Sequence, residues 1–337
     1  MQKYSVMIIY GGEGYERKVS QSSVEKFRKI KQSDRLSLTL VYISEDGRWF
    51  LSDGEAKEPL MLARGGFVSS GKYQKIDAAL PVMHGDRGED GYISAILAHF
   101  RIRCIGSPYY TAALVRDKAA VKLFAKKLGI DTADFVCFPE GYEPSITELG
   151  EVINTLGLPL FVKPRRLGSS IGASRADTLK GLLSAVAAAD MPFGGGVIIE
   201  RLVDCELEAE CGFLEHPRGE KFAVGAILCG GREYSYARKY EGEDSVEVVD
   251  YYPRQSSERE QIVKWARSLV SSLGIRTMCR VDFFVTKDGG ILFNEINLLP
   301  GFTEDSLFPR LFFASAAELA DWLYYAVAES LLSERNW

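Results

Sequence analysis

Long apolar runs are missing from this 337-residue chain. No segment reaches the roughly 18 apolar residues that span a bilayer, so no membrane association is expected. An excess of basic charge is missing as well. Net charge is −5, and no basic field is present to attract nucleic acid. The one short basic cluster, Lys122 to Lys127, lies in a helical pattern and reads as a solvated helix face. Cysteines are few and not spaced for metal: Cys104, Cys137, Cys205, Cys211, Cys229 and Cys279 include no Cys-x-x-Cys pair. That argues against a zinc site and for reduced core thiols in a cytosolic protein. The opening MQKYSVMIIYGGEGYE has too short an apolar run and no small-residue cleavage site, so it reads as a strand entering a Gly turn and not as a secretory signal. Low-complexity segments and internal repeats are also absent. What remains, 46% hydrophobic and 26% charged residues, is ordinary for a soluble globular enzyme.

The length allows two or three domains at ~100–200 residues each. The first hundred residues alternate strands and helices: Ser5 to Tyr10, helix Ser20 to Ile30, Leu36 to Ile43, Ala79 to His84, then helix Gly91 to Phe100. That alternation predicts a parallel α/β sheet whose ligands bind at the carboxyl ends of the strands, where Gly11-Gly12 and His84-Gly85 fall. Asp53 to Lys75 reads as a β-hairpin or loop excursion. From Gly106 a second unit begins, with helices Asp117 to Leu128, Ser145 to Leu156 and Thr178 to Ala188, and strands Phe135 to Phe138, Leu160 to Pro164 and Val197 to Arg201. A third has long strands Glu206 to Leu214 and Lys221 to Ile227, the helix Glu258 to Leu273, a hairpin, and the amphipathic helix Ala316 to Leu332.

The hairpin, RVDFFVTKDGGILFNEIN, carries the densest chemistry. Period-two alternation puts Arg280 and Asp282 on one face of the first strand, and Glu295 and Asn297 on one face of the return strand. Asp288-Gly289-Gly290 supplies the turn. Two carboxylates, an amide and a guanidinium are thereby gathered among Phe283, Phe284, Ile291, Leu292 and Phe293. Hard oxygen donors of this kind suit Mg²⁺ held jointly with substrate phosphates. A solvated surface hairpin is the plainer alternative, and the apolar neighbours argue against it. Lys163-Pro-Arg-Arg-Leu-Gly-Ser-Ser-Ile-Gly172 is a strand entering a small-residue loop. Such a loop lets backbone N–H groups approach phosphate, with a lysine for charge. It is not a P-loop, because the lysine precedes the loop.

These segments together resemble the D-alanine–D-alanine ligase family of the ATP-grasp superfamily. The resemblance runs from about Ser5 to Phe312 and is weakest over Asp53 to Lys75 and Glu241 to Asp250. Its motifs include K-P-x-x-x-G-S-S-x-G from Lys163, H-G-x-x-G-E-D-G from His84, D-K at Asp117-Lys118, and N-E-I-N followed by Pro-Gly, Thr and Ser. It implies an α/β (α+β in the clamp) ATP-grasp ligase of three domains: an N-terminal Rossmann-like parallel sheet over 1–105, a central clamp subdomain over 106–201 carrying the Gly-Ser loop, and a C-terminal one over 202–337 carrying lid and hairpin. It further implies ATP-dependent joining of two D-alanines through an acylphosphate, a bacterial cytosolic role in supplying a peptidoglycan precursor, two Mg²⁺ (or Mn²⁺) ions, and a homodimer.

Residue by residue, the resemblance places nucleotide phosphates at Lys118, Lys163, Ser169 and Ser170, with Lys239 at the γ-phosphate. Glu200 goes near adenine and Glu206 to the ribose, across a one-residue gap. Asp282 and Glu295 hold one ion, Glu295 and Asn297 the other. Glu16 takes the first D-alanine's ammonium, His84 joins the substrate pocket, and the lid's Tyr240 bonds toward Ser169 and Glu16. Arg280 and the Gly301 N–H stabilise the tetrahedral intermediate, and Ser306 with Leu307 receives the second carboxylate. Glu89 and Asp90 read as helix caps. Departures are Gly14 for the family's Ser, Leu167 where many members carry Glu, and Leu298 where many carry Thr. The lid stretch Tyr236 to Pro253 holds no His, which argues against joining D-lactate. Ligation of D-alanine to D-serine or formation of another dipeptide stays open. A dinucleotide-dependent oxidoreductase lacks its full G-x-G-x-x-G, and a silent nucleotide binder leaves the complete residue set without a use.

Overall fold

The computed structural model describes residues 2–31, 33–52, 57–192, 194–228 and 247–332. Three sheets organise them. The first has eight strands: β1 (Tyr4–Gly11), β2 (Leu36–Ile43), β3 (Trp49–Ser52), β4 (Lys57–Ala63), β5 (Gly66–Ser69), β6 (Lys72–Lys75), β7 (Ala78–Pro81) and β8 (Arg103–Cys104). Their order is β6-β5-β4-β3-β2-β1-β7-β8. Strands β2, β1, β7 and β8 run parallel. The expected β-hairpin or loop excursion forms antiparallel strands β4 to β6, which with β3 double the sheet's width. Strand β1 is buried along nearly its whole length, because helices cover both faces of a parallel sheet. Helix α1 (Arg17–Arg28) follows the Gly11-Gly12 turn, and α2 (Tyr92–His99) follows β7.

The second sheet, β11-β10-β12-β9, is antiparallel and comprises β9 (Phe135–Phe138), β10 (Leu160–Pro164), β11 (Ser174–Ala176) and β12 (Val197–Arg201). Helices α5 (Ile146–Leu156) and α6 (Leu179–Ala189) pack on it. Both begin at side-chain caps, Ser145 and Thr178, whose hydroxyls accept backbone N–H groups that a helix start leaves unpaired. The third sheet, β15-β14-β13-β16-β17, contains β13 (Cys205–Leu214), β14 (Lys221–Leu228), β15 (Glu247–Val249), β16 (Met278–Thr286) and β17 (Ile291–Asn297).

Two connections depart from sequence order in their packing. Helices α3 (Tyr109–Arg116) and α4 (Lys118–Lys127) lie against the third sheet, sharing its core through Val115, Val121, Ala125 and Ile296. The last described helix, α9 (Ala316–Leu332), returns to the first sheet, where Trp322, Leu323 and Val327 pack with Val6, Ile8 and Leu80. Helices α7 (Ser256–Leu273) and α8 (Leu307–Phe312) complete the described elements. None of the described helices is long and apolar enough to cross a membrane.

Candidate active site

A cleft opens between the second and third sheets, lined among others by Lys118, Phe161, Lys163, Ser169, Ser170, Glu200, Glu208, Asp282, Asn294 and Glu295. Its residues arrive there for local reasons. In the β10–β12 register Phe161 lies opposite Glu200 and Lys163 two residues further along. Paired residues share a face of the sheet, so Lys163 and Glu200 meet, with Nζ 2.8 Å from Oε2. Lys163 also donates to Asn294 Oδ1 at 3.1 Å, tying the two sheets together across the cleft.

Behind this pair stands Lys122, whose Nζ is 3.0 Å from the other Glu200 oxygen. It is fully buried, so the reading of Lys122 to Lys127 as a solvated face is corrected at its most important position. Burial lowers the Lys122 amine to about 8, against the pull of Glu200. Burial also opposes ionisation of Glu200, yet Lys122 and Lys163 outweigh it and hold that carboxyl down to about 2. Glu200, expected near adenine, lines the cleft with both oxygens already facing lysines.

Lys118 begins α4, whose N-terminus is capped by Asp117 accepting from Ala119 N and Ala120 N. Its Nζ donates to Leu167 O at 2.5 Å and lies 3.4 Å from Glu295 Oε2. Burial lowers its pKa first, with Glu295 opposing. The Leu167 side chain is itself buried in the cleft wall, and only its carbonyl serves the lysine. In the Gly-Ser loop Ser169 and Ser170 hold left-handed φ of 53° and 57°. Such backbone costs ~1–2 kcal/mol per residue and persists where surroundings enforce it. One enforcing contact is the bond from Ser169 Oγ to Glu16, which joins this loop to the first sheet. Glu16 is approached closely by Gly85, where a Cβ would collide with its carboxylate, and by Gly168, where a Cβ would crowd it at 3.1 Å. Arg116 Nη1 donates to Glu89 at 2.9 Å, and its Nη2 lies 3.8 Å from Glu16. Glu89, expected as a helix cap, accepts instead from Gly85 N and Arg116, while Asp90 accepts from Tyr92 N at the helix start.

The hairpin gathers the expected four side chains. Asp282 lies opposite Glu295, and Arg280 opposite Asn297. Arg280 donates twice to Asp282, both at 2.8 Å, and Asn297 Nδ2 donates to Asp282 at 2.9 Å. Burial alone would depress Arg280, but Asp282 and Glu210 keep it charged, the latter 3.5 Å away. A register shift after Asp282 inserts one extra residue, Asn294, into β17. A bulge of this kind breaks the alternation, so consecutive Asn294 and Glu295 both reach the cleft.

A second bulge bears on one expected placement. The β13–β16 pairing skips Glu206 between Cys205 and Leu207. Cys205 and Glu208, three apart, consequently line the cleft. Glu206, expected at the ribose, is not among the lining residues, and its half-exposed side chain pairs with Arg254 at 2.5 Å.

Beyond the hairpin, Ser306 accepts from Thr303 N at 3.2 Å and precedes α8, which begins at Leu307. Gly301 packs so closely on Ser306 that a Cβ there would sit 2.7 Å from its hydroxyl. His84 is buried with both ring nitrogens engaged: Nδ1 2.9 Å from Leu299 O, Nε2 3.0 Å from Ser23 Oγ. Burial lowers its pKa, so the ring is neutral. Lys239 and Tyr240 lie outside the described residues. Residues not singled out from sequence are Lys122, Glu208, Glu210, Asn294, Arg116 and Ser23. Lys122 carried a signal, lying one helical turn beyond Lys118 on the same face. The bulges that direct Glu208 and Asn294 had none.

Known proteins resemble this chain along nearly its whole length. Two family models match, D-ala D-ala ligase N-terminus over residues 5–107 and D-ala D-ala ligase C-terminus over 124–325. A D-alanine–D-alanine ligase of Thermoanaerobacter pseudethanolicus is 30% identical across 98% of both chains. The D-alanine–D-alanine ligase A of Salmonella typhimurium is 30% identical across 95% of this chain and 94% of its own. Among solved structures, the D-alanyl-alanine synthetase A of Vibrio cholerae superposes with a TM-score of 0.86 at 25% identity, covering 99% of this chain and all of that one. VanG, a D-Ala:D-Ser ligase from Enterococcus faecalis, gives 0.84 at 25% identity, covering 97% of this chain and all of its own. The chain belongs to the D-alanine–D-alanine ligase family.

Proposed function

We propose that this enzyme uses ATP to join two D-alanines into D-alanyl-D-alanine, supplying a cytoplasmic peptidoglycan precursor. The observation that carries the reading is the meeting, in one cleft, of Lys118 and Lys163 with Asp282 and Glu295, Asp282 being held by Arg280. Lysines suit the phosphates of ATP, and the first D-alanine's carboxylate lies in line with the γ-phosphate. Its oxygen attacks phosphorus, the γ-phosphoryl bond to ADP breaks, and an acylphosphate forms. The second D-alanine's amine then attacks the acyl carbon. The carbonyl electron pair moves onto oxygen, toward the Gly301 N–H and Arg280, and returns as the C–O bond to phosphate breaks. The amine proton leaves to phosphate or solvent. Positioning and charge neutralisation supply most of the catalysis.

In this reading Glu16 takes the first ammonium, with Ser169 and Tyr240 bonded to it, and Ser306 and Leu307 take the second carboxylate. Ser170 and Lys239 complete the phosphate cradle, and Glu208 takes the ribose in place of Glu206. The oxygen set of Asp282, Glu295 and Asn297 fits two Mg²⁺ or Mn²⁺ ions: all three donors are hard, and Asp282 and Glu295 line the cleft beside Lys118. When bound, those ions neutralise phosphoryl charge. The units 1–105, 106–201 and 202–337 act as substrate domain and two clamp halves, and the enzyme works as a homodimer.

The test is phosphate release from ATP and Mg²⁺ with D-alanine alone, D-alanine plus D-serine, D-alanine plus D-lactate, and the L forms, with products identified by mass. Turnover with D-alanine alone is expected. Turnover only with D-serine would establish the second reading, which the likeness to a D-Ala:D-Ser ligase favours. Silence with every pair overturns both.

A further inference from the structure

Helix α1 presents two fully buried serines, Ser20 and Ser23, on its inner face. Ser20 has local work, bonding Gly11 N and Val82 O within the first sheet. Ser23 reaches out of its own lobe. Its Oγ accepts from Phe302 N at 3.0 Å, 279 residues away in sequence. The same hydroxyl lies 3.0 Å from His84 Nε2, and His84 Nδ1 lies 2.9 Å from Leu299 O. The proton arrangement is fixed by chemistry. Leu299 O can only accept, so Nδ1 carries the hydrogen. Nε2 of the neutral ring then accepts from Ser23, leaving the Ser23 oxygen to receive the Phe302 N–H.

Ser23 and His84 therefore grip the backbone at Leu299 and Phe302, the residues that bracket Pro300-Gly301. Both grips come from the first sheet's lobe, and Glu16 stands at the N-terminus of the same helix as Ser23. We infer that Ser23 is a positioning residue for this ligase. Through one hydrogen bond to Phe302 and one through His84 to Leu299, it aims the Gly301 N–H at the oxygen that becomes negative when the amine attacks. The inference rests on the functional reading above. Its consequence is selective: acylphosphate formation needs no donor at that oxygen, whereas its conversion to dipeptide does.

The experiment compares wild type, Ser23→Ala and the near-isosteric Ser23→Cys by two rates. One is dipeptide formation. The other is exchange of ¹⁸O between the β,γ-bridge and the β-nonbridging positions of ATP, which reports reversible acylphosphate formation. Both variants should lose dipeptide turnover about 10-fold or more with KM for ATP within about 2-fold, and the ratio of exchange to turnover should rise about 10-fold. A merely structural loss lowers both rates together, so an unchanged ratio overturns the inference. Hydrogen exchange at the Phe302 amide is measured alongside and should accelerate in both variants. Should wild type make no dipeptide, the functional reading fails by itself, and an unaccelerated Phe302 amide would then sink the tether independently.

Discussion

Arg280 clamps Asp282 from two residues earlier on the same strand, through a pair of 2.8 Å hydrogen bonds that use both carboxylate oxygens. Alternation puts the two side chains on one face, and the fork geometry of guanidinium and carboxylate does the rest. The same guanidinium is 3.5 Å from Glu210, so it neutralises two buried acids at once.

Replacing Arg280 by Ala should therefore act on chemistry and not on nucleotide affinity. Dipeptide formation is expected to fall at least about 100-fold, the usual loss for a donor aimed at a developing oxyanion. ATP binding by calorimetry should stay within a few-fold. Unchanged turnover would remove Arg280 from the site.

The bulge at Glu206 makes a claim about two neighbouring acids. Glu208→Gln should raise KM for ATP about 10-fold, as expected for loss of a charge-assisted hydrogen bond. Glu206→Gln, at a half-exposed residue paired with Arg254, should leave it within about 2-fold. The reverse ranking would return the ribose to Glu206.

Cys205 lines the cleft, whereas Cys211 and Cys279 are buried and Cys137 is exposed. Burial pushes the Cys211 thiol up to about 12, so little thiolate is available there at neutral pH. Alkylation followed by peptide mass mapping should mark Cys137 quickly, Cys205 more slowly, and Cys211 and Cys279 not at all. Adding ATP with Mg²⁺ should protect Cys205 and leave Cys137 unaffected. Equal labelling of Cys205 with and without nucleotide would place ATP elsewhere.

Asp86 offers a pH test. Burial, then the neighbouring Asp90, raise its carboxyl to about 6. A folded pKa above the unfolded value favours the native state below about pH 4, and that advantage is lost as pH rises through 6. The charged side chain thus destabilises the enzyme at pH 8. After allowance for solvent screening at this half-buried position, Asp86→Asn should gain about 1 kcal/mol there and nothing at pH 4. A melting temperature unchanged at pH 8 would contradict it.

Legibility from sequence varied with the range of the interaction. Strands β2, β9, β10 and β12 and the final helix matched their expected spans, because apolar periodicity and turn residues act over a few residues. Helix α3 escaped notice. Lys122 was read as solvated, although charge in a helical pattern says nothing about which face another sheet will cover. At Glu206 a bulge shifts the phase of the strand by one residue and brings Glu208 to the cleft wall, and no residue in CELEAE signals it.

By itself the sequence determined the hairpin with Arg280, Asp282, Glu295 and Asn297 on one face, and the lysine-led Gly-Ser loop. Both follow from backbone alternation and local turn chemistry. Tertiary structure alone decided that Lys122 would be buried behind Glu200 and that α9 would return to the first sheet. It alone tied Ser23 and His84 to a turn more than 200 residues away. Those contacts are set by which apolar faces cover one another once distant segments meet, and no short window of sequence contains both partners.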